Sequence, residues 1–192
     1  MDRTEDAPAI VTSCRFVARH LLVVAPLCAV IAMGRFVQTG YPAFAPIPMQ
    51  VVLEVVVEGG RIALAIVVIG AGSLTAGIRS IRRFFAEPKA ERQSRFARMK
   101  ERLTTRWRPL AEDVALYLVL ALLLNRAIDW VAGTPWMQAR AAIVGADLTA
   151  SDAQILLLKN ISVIPLTIVF QIHFAARLWL SDEERTAWLN RR

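Results

Sequence analysis

Seven ionisable side chains lie within stretches of this chain that are otherwise apolar, and their types suit ion pairing or ion transfer. Four are basic and three are acidic: Arg35, Glu54, Glu58, Arg61, Arg126, Asp129 and Lys159. A charge inside a bilayer costs about 2.5–3.5 kcal/mol even on the mild insertion scale, so such groups turn toward one another. The near balance of sign predicts mutual pairing instead of a ring of one sign that selects ions.

The spacing of these residues predicts which of them share a helix face. Glu54, Glu58 and Arg61 are four and three residues apart, and Arg126 and Asp129 are three apart. We expect a buried network, with two interpretations. The first is a clasp that fixes the helix arrangement. The second is functional, either a path for ions or protons or a site for an anionic headgroup, and Arg126 and Glu58 are the residues to test.

His20 and His173 are the two histidines of the chain, and they are predicted at similar depth on antiparallel helices. Equal depth is what bis-histidine haem ligation requires, but two histidines at a polar inner rim show the same pattern. The cysteines Cys14 and Cys28 are separated by about 21 Å along a helix, too far for a disulfide. We predict no cofactor and no metal site.

The elements that carry these residues are four apolar blocks. The chain has 192 residues, of which 56% are hydrophobic, more than in an ordinary soluble domain of this length. The additional hydrophobic residues are concentrated in blocks instead of being spread through amphipathic elements. Each block reaches the roughly 20 residues that a helix needs to cross a bilayer. The sequence therefore predicts an all-α fold, a four-helix transmembrane bundle forming a single polytopic domain over residues 1–192. The spans are predicted at about 15–37, 50–83, 110–131 and 153–180.

One connection holds most of the positive charge. Between Arg79 and Arg108 there are eleven bases and three acids, whereas the whole chain has a net charge of +7. Loops rich in lysine and arginine stay on the cytoplasmic side. With four crossings, both termini are then cytoplasmic, in a membrane of the bacterial inner type.

The basic connection at 84–109 contains an apolar stripe. Phe96, Met99, Leu103 and Trp107 recur at spacings of three and four, which predicts an amphipathic helix between two prolines. We expect this interfacial cytoplasmic helix to lie between spans 2 and 3 with its bases on anionic headgroups; contact of the stripe with a partner subunit is the alternative. The residues predicted to face lipid are Arg92, Arg95, Arg98, Lys100, Arg102 and Trp107.

Small residues mark the second block. Gly70, Gly72 and Gly77 allow a close helix contact, either within one copy or between copies.

No phosphate-binding glycine loop and no metalloprotease or hydrolase motif is present in the sequence, so we predict that the chain is not an enzyme. The basic charge is explained by topology and lipid, so no nucleic acid is expected. We expect a non-catalytic multi-span membrane protein, a self-assembling or accessory subunit of a membrane complex. Its predicted partners are anionic lipids and either further copies or a larger complex. The alternative is ion transport by an oligomeric channel or ion-coupled transporter, with a charged path in the outer half of the bilayer.

Overall fold

The structure, a computed structural model, describes residues 8–40, 46–134 and 148–190, and every regular element in these ranges is an α-helix. The all-α prediction is confirmed for this part of the chain. The helices are α1 Ala9–Arg19, α2 Leu21–Gly40, α3 Ile47–Ile69, α4 Leu74–Ala86, α5 Lys89–Thr105, α6 Trp107–Ala132, α7 Leu148–Ile161, α8 Val163–Trp179 and α9 Asp182–Leu189.

Among the described residues, three stretches are long and apolar enough to cross a membrane: Leu21–Thr39, Trp107–Ala132 and Ala153–Trp179. The predicted second span is not among them, although α3 has 23 residues, because it carries Glu54, Glu58 and Arg61. The structure thus supports a membrane protein with three apolar spans, and the predicted four-helix bundle is not confirmed.

The helices expose a large apolar surface. Leu22, Ile47 and Trp130 are 92%, 79% and 75% exposed, and most side chains of α6 face outward. Single exposed apolar residues are ordinary on soluble proteins, but continuous apolar faces on long helices are typical of a lipid-exposed surface.

The contacts divide the chain into two units. The described residues of 1–21, 65–118 and 166–192 form the first unit, and those of 22–64 and 119–165 form the second. The single domain over 1–192 stays a prediction.

In the first unit, α1 and α9 are anchored by buried aromatic side chains. Phe16 of α1 is 8% exposed and Trp188 of α9 is 7% exposed. The Trp188 indole donates a hydrogen bond of 2.8 Å to the carbonyl of Ile69. Tyr117 of α6 stacks on Phe170 of α8 at a centroid distance of 4.3 Å. These contacts fix the helices around one apolar core.

In the second unit, α2 and α3 approach closely at two glycines. A Cβ atom on Gly34 would lie 2.6 Å from Val57 Cγ2, and one on Gly60 would lie 2.7 Å from Ile31 Cγ1. Small residues at such crossings let two helix backbones pack together. The approach at Gly34 places the next residue, Arg35, beside the acidic side chains of α3.

The predicted span 50–83 is divided at a sharp corner between α3 and α4. Ala71 and Gly72 have φ of 52° and 101°, in the left-handed region that ends a helix. The Ser73 hydroxyl then accepts a hydrogen bond from the amide of Ala76 and caps α4.

The corner also explains the small residues of this block. A Cβ atom on Gly77 would overlap the carbonyl oxygen of Ile66. In a continuous helix, eleven residues would separate these positions by about 16 Å, so α4 must fold back against the end of α3. The small-residue contact that the sequence left open is therefore made within one copy, as an α3–α4 corner.

The other predicted spans correspond to the observed helices as follows. The range 15–37 covers the end of α1 and most of α2, which are separated at His20. The range 110–131 lies inside α6, and Pro109 belongs to the first turn of that helix instead of ending α5. The range 153–180 covers most of α7 and all of α8, which are divided at Ser162, because Pro165 has no N–H to donate to the carbonyl of Ile161.

Candidate functional site

The candidate site is a charge cluster on α2, α3 and α7, made of Arg35, Gln38, Glu54, Glu58, Arg61 and Asn160. At its centre the Arg35 guanidinium binds both acids of α3. Its Nη1 and Nη2 donate to the two oxygens of Glu54 at 2.6 and 2.8 Å, and Nη2 also donates to Glu58 Oε1 at 2.9 Å. The two-pronged contact with Glu54 is the geometry in which arginine binds a carboxylate most strongly.

Arg61 extends the cluster to α7. Its Nη1 donates to Glu58 Oε1 at 2.6 Å, and its Nη2 donates to Asn160 Oδ1 at 3.1 Å. Asn160 is 1% exposed, and its amide donates to the carbonyl of Leu156, which holds it in this orientation. The Asn160 side chain, through which α7 binds Arg61 of α3, is therefore buried and held in one orientation.

Gln38 completes the cluster on the α2 side. Its oxygen accepts from Arg35 at 3.1 Å, and its nitrogen donates to Glu54 and to the carbonyl of Gln50, both at 3.1 Å. The cluster contains two guanidinium groups and two carboxylates, so its formal charge is zero. An arrangement of this kind, balanced and densely hydrogen-bonded, is suited to hold three helices together.

The remaining three charges of the predicted network lie elsewhere. Arg126 and Asp129 are exposed on α6, and Lys159 is half-buried on α7. Within the described ranges the side chains of these three residues form no ion pair and no hydrogen bond. The structure thus brings together Arg35, Glu54, Glu58 and Arg61, and it does not connect Glu58 to Arg126 or Asp129.

Loss of Arg35 should loosen the contact between α2 and α3. We expect Arg35→Gln to lower the thermal midpoint of the purified protein by several degrees, because Glu54 loses its main hydrogen-bond donor and Glu58 loses one of its two donors. The matched control is Arg79→Gln in detergent, which removes an exposed arginine of α4 that forms no hydrogen bond or ion pair with the described part of the chain. Equal midpoints for the two variants would contradict the assignment of Arg35 to the cluster.

A second set of ion pairs, the α5–α9 clasp, holds the last helix. Arg95 is 8% exposed and donates to Glu184 at 2.9 and 3.2 Å. Arg102 donates to the carbonyls of Arg177 and Leu180 at 2.7 and 2.6 Å, and to Asp182. Two of the residues predicted to face lipid therefore bind the C-terminal segment instead, because α9 supplies acids and α8 supplies unpaired terminal carbonyls.

The other residues of the predicted lipid face have different surroundings. Arg92 and Arg98 are half-buried, and Arg98 donates to Ser94 on its own helix. Lys100 is exposed, and Trp107 is 58% exposed with Arg108 over its ring. The predicted helix is present as α5, and its apolar stripe is largely uncovered.

Acid should weaken the α5–α9 clasp. Burial raises the pKa of Glu184, but hydrogen bonds from the Ser181 amide and from Arg95 outweigh burial and hold that pKa below its ordinary value of 4.5. Ionised Glu184 therefore stabilises the folded protein fully at pH values above its ordinary pKa. This stabilisation is lost as the pH falls through the lower pKa of the folded protein. We expect hydrogen exchange of the α9 amides to accelerate over that acidic range, and Glu184→Gln to remove this dependence; an unchanged dependence in the variant would contradict it.

A buried carboxylate that the sequence analysis did not single out ties α1 to α6 and α8. Asp113 is 2% exposed, accepts the amide of Ala9 at 2.9 Å and pairs with Arg177 through its other oxygen. In the sequence, the only indication of this buried carboxylate is that Asp113 lies six residues after Trp107, the first residue of the apolar helix α6. Its position near the helix end made it look like an ordinary interfacial residue.

The two histidines pack on one aromatic ring. The Phe16 ring lies 4.6 Å from His20 and 5.4 Å from His173 between centroids. His173 is buried, its Nδ1 is within 2.8 Å of the Val169 carbonyl, and its Nε2 has no hydrogen-bond partner among the described residues. No group of three or more potential metal ligands occurs in the described ranges. The packing favours a structural role for both rings.

Comparison of the chain with known protein families, with curated proteins and with solved structures finds no match. No relative therefore supplies a ligand, a reaction or a partner for the charge cluster.

Proposed function

We propose that this chain is a non-catalytic, multi-span membrane protein that acts as a self-assembling or accessory subunit of a membrane complex. The observation that carries the proposal is the internal pairing of the charge cluster. Glu54 and Glu58 pair with Arg35 of α2, and Arg61 donates to Asn160 of α7, so all three have partners on neighbouring helices. Pairing lowers the cost of placing these charges in a membrane, so α3 can serve as a fourth span.

In this proposal α2, α3, α6 and the α7–α8 pair form a four-helix bundle. The basic segment from α4 to the start of α6 lies on the cytoplasmic side of a bacterial-type inner membrane, as its excess of arginine and lysine favours. Four crossings then bring both termini to the same side. The balanced cluster supports a structural role for the charges that lie within the spans.

We further propose that α4 and α5 lie along the cytoplasmic surface and bind anionic lipid. α4 exposes Leu74, Ile78 and Phe85 at 45%, 39% and 72%, next to the exposed bases Arg79, Arg82 and Arg83. Apolar stripes flanked by bases are typical of helices that lie in the headgroup region. Each base near an anionic surface contributes about 1 kcal/mol.

The subunit role is supported by the surface of α6. Only 6% of its most apolar stretch is buried within the chain, compared with 28% for α2 and 22% for 153–179. A span with so little of its own chain around it has a free face for lipid or for another subunit. Ion pairing inside the cluster leaves no unpaired charge there to line a conduction path.

The test is the native mass of the protein extracted directly into lipid nanodiscs. The proposal predicts a multiple of 21.3 kDa, or one copy together with a second membrane protein. A single copy without partners at all protein densities would contradict it. Ion flux across liposomes that contain only this protein would instead favour the transport alternative.

A further inference from the structure

One face of α6 combines exposed apolar side chains with two exposed charges. Val119, Leu122, Leu123 and Trp130 are 56%, 61%, 60% and 75% exposed. Their spacing places them along one side of the helix, and Arg126 and Asp129 lie on that same side, near its C-terminal end. We call this surface the α6 face.

The two charges of the α6 face are not neutralised by the described part of the chain. Arg126 and Asp129 are three residues apart, but their charged atoms are not within ion-pair distance of each other. In a membrane each unpaired charge costs about 2.5–3.5 kcal/mol on the mild insertion scale, so a partner outside the described chain is expected. The two charges are of opposite sign, and so the face is complementary to itself.

We propose that the α6 face binds the α6 face of a second copy, with Arg126 of each copy paired to Asp129 of the other. This inference rests on the proposed function and names its interface. All copies of one chain insert in the same orientation, so the two α6 helices run parallel and equal residues lie at equal depth. A twofold axis along the membrane normal then forms both ion pairs at once.

A second copy satisfies the α6 face better than lipid does. A lipid phosphate would pair with Arg126 but would repel Asp129 one turn away. The second copy neutralises both charges, and the leucine and valine side chains pack across the axis as they do between membrane helices generally. The presence of one positive and one negative charge on the α6 face therefore favours a protein partner that also presents both signs.

The experiment uses two differently tagged forms of the full-length protein, co-expressed and extracted into nanodiscs. Arg126→Asp gives a face with two acids, and Asp129→Arg gives a face with two bases. Each variant alone should lose self-association about tenfold or more, because like charges then oppose each other in the interface. Co-expression of one variant with the other should restore co-purification, since every acid again meets a base.

Two controls separate the possible outcomes. Arg15→Asp changes an exposed arginine on α1 and should leave self-association unchanged, and thermal midpoints in detergent show whether each variant folds. If wild type is oligomeric but both single variants associate fully, the α6 interface is overturned and the proposed function stands. If wild type is a partner-free single copy, the proposed function itself fails. Failure of the mixed pair to recover, with both variants folded, also overturns the interface.

Discussion

Gly77→Ala is expected to destabilise the protein strongly although it adds only one carbon atom. The new Cβ would overlap the carbonyl oxygen of Ile66, which is backbone and cannot rotate away. Overpacking typically costs about 1–3 kcal/mol, and a rigid backbone neighbour places this case at the upper end. The measurement is the free energy of unfolding in mixed micelles, together with the rate of trypsin cleavage at Arg82 and Arg83.

Gly59→Ala is the matched control for this prediction. Gly59 lies on α3, and a Cβ atom there would meet nothing within 4 Å. The substitution should be neutral or stabilise the helix by about 0.5–1 kcal/mol, because alanine is the better helix former. If the alanine variants at 77 and 59 are equally stable, the α3–α4 corner is not packed as described.

The second large effect is expected for Arg177→Met. It would leave the Asp113 carboxylate, 2% exposed, without its cation. Removing one partner of a buried ion pair typically costs about 3–5 kcal/mol, since the remaining charge stays buried and uncompensated. We expect the variant to unfold at a much lower mole fraction of denaturing detergent in mixed micelles. We also expect rapid hydrogen exchange in α1, which Asp113 holds through the amide of Ala9.

A double variant tests the cause of that loss. Arg177→Met combined with Asp113→Asn removes both charges but keeps an oxygen that accepts the Ala9 amide, so most of the stability should return. Arg79→Met, on the exposed side of α4, should have little effect. A double variant as unstable as Arg177→Met alone would show that the loss comes from packing of Arg177 and not from the buried charge.

The sequence predicted the charge cluster only in part. The spacing of Glu54, Glu58 and Arg61 fixed their common face, and the positions of Gly34 and Gly60 determine how closely α2 brings Arg35 to them. The rotation of α6 about its own axis is set by packing, which spacing does not reveal. For this reason Arg126 was expected in the network, whereas the structure exposes it.

The corner after α3 was missed for a different reason. The apolar block continues through residue 69 and resumes in α4, so hydrophobicity alone predicts one long helix over 50–83. The signals against a continuous helix were Gly70, Gly72 and a capping serine at 73, whose effect depends on backbone angles. Likewise, the bases of α5 suggested lipid contact, and only the acids of α9 reveal that Arg95 and Arg102 are used within the chain.

The proposed topology requires an even number of membrane crossings, and cysteine labelling of the two terminal regions tests whether that number is even or odd. Cys14 is exposed and Cys28 is buried, so a Cys28→Ala protein reports on α1 through Cys14 alone. Asn190→Cys in a chain without the native cysteines reports on the end of α9. With α3 as a fourth span, an impermeant maleimide should reach neither site in sealed right-side-out vesicles and both after permeabilisation. Labelling of the two sites from opposite sides would mean an odd number of crossings and would contradict the proposed bundle.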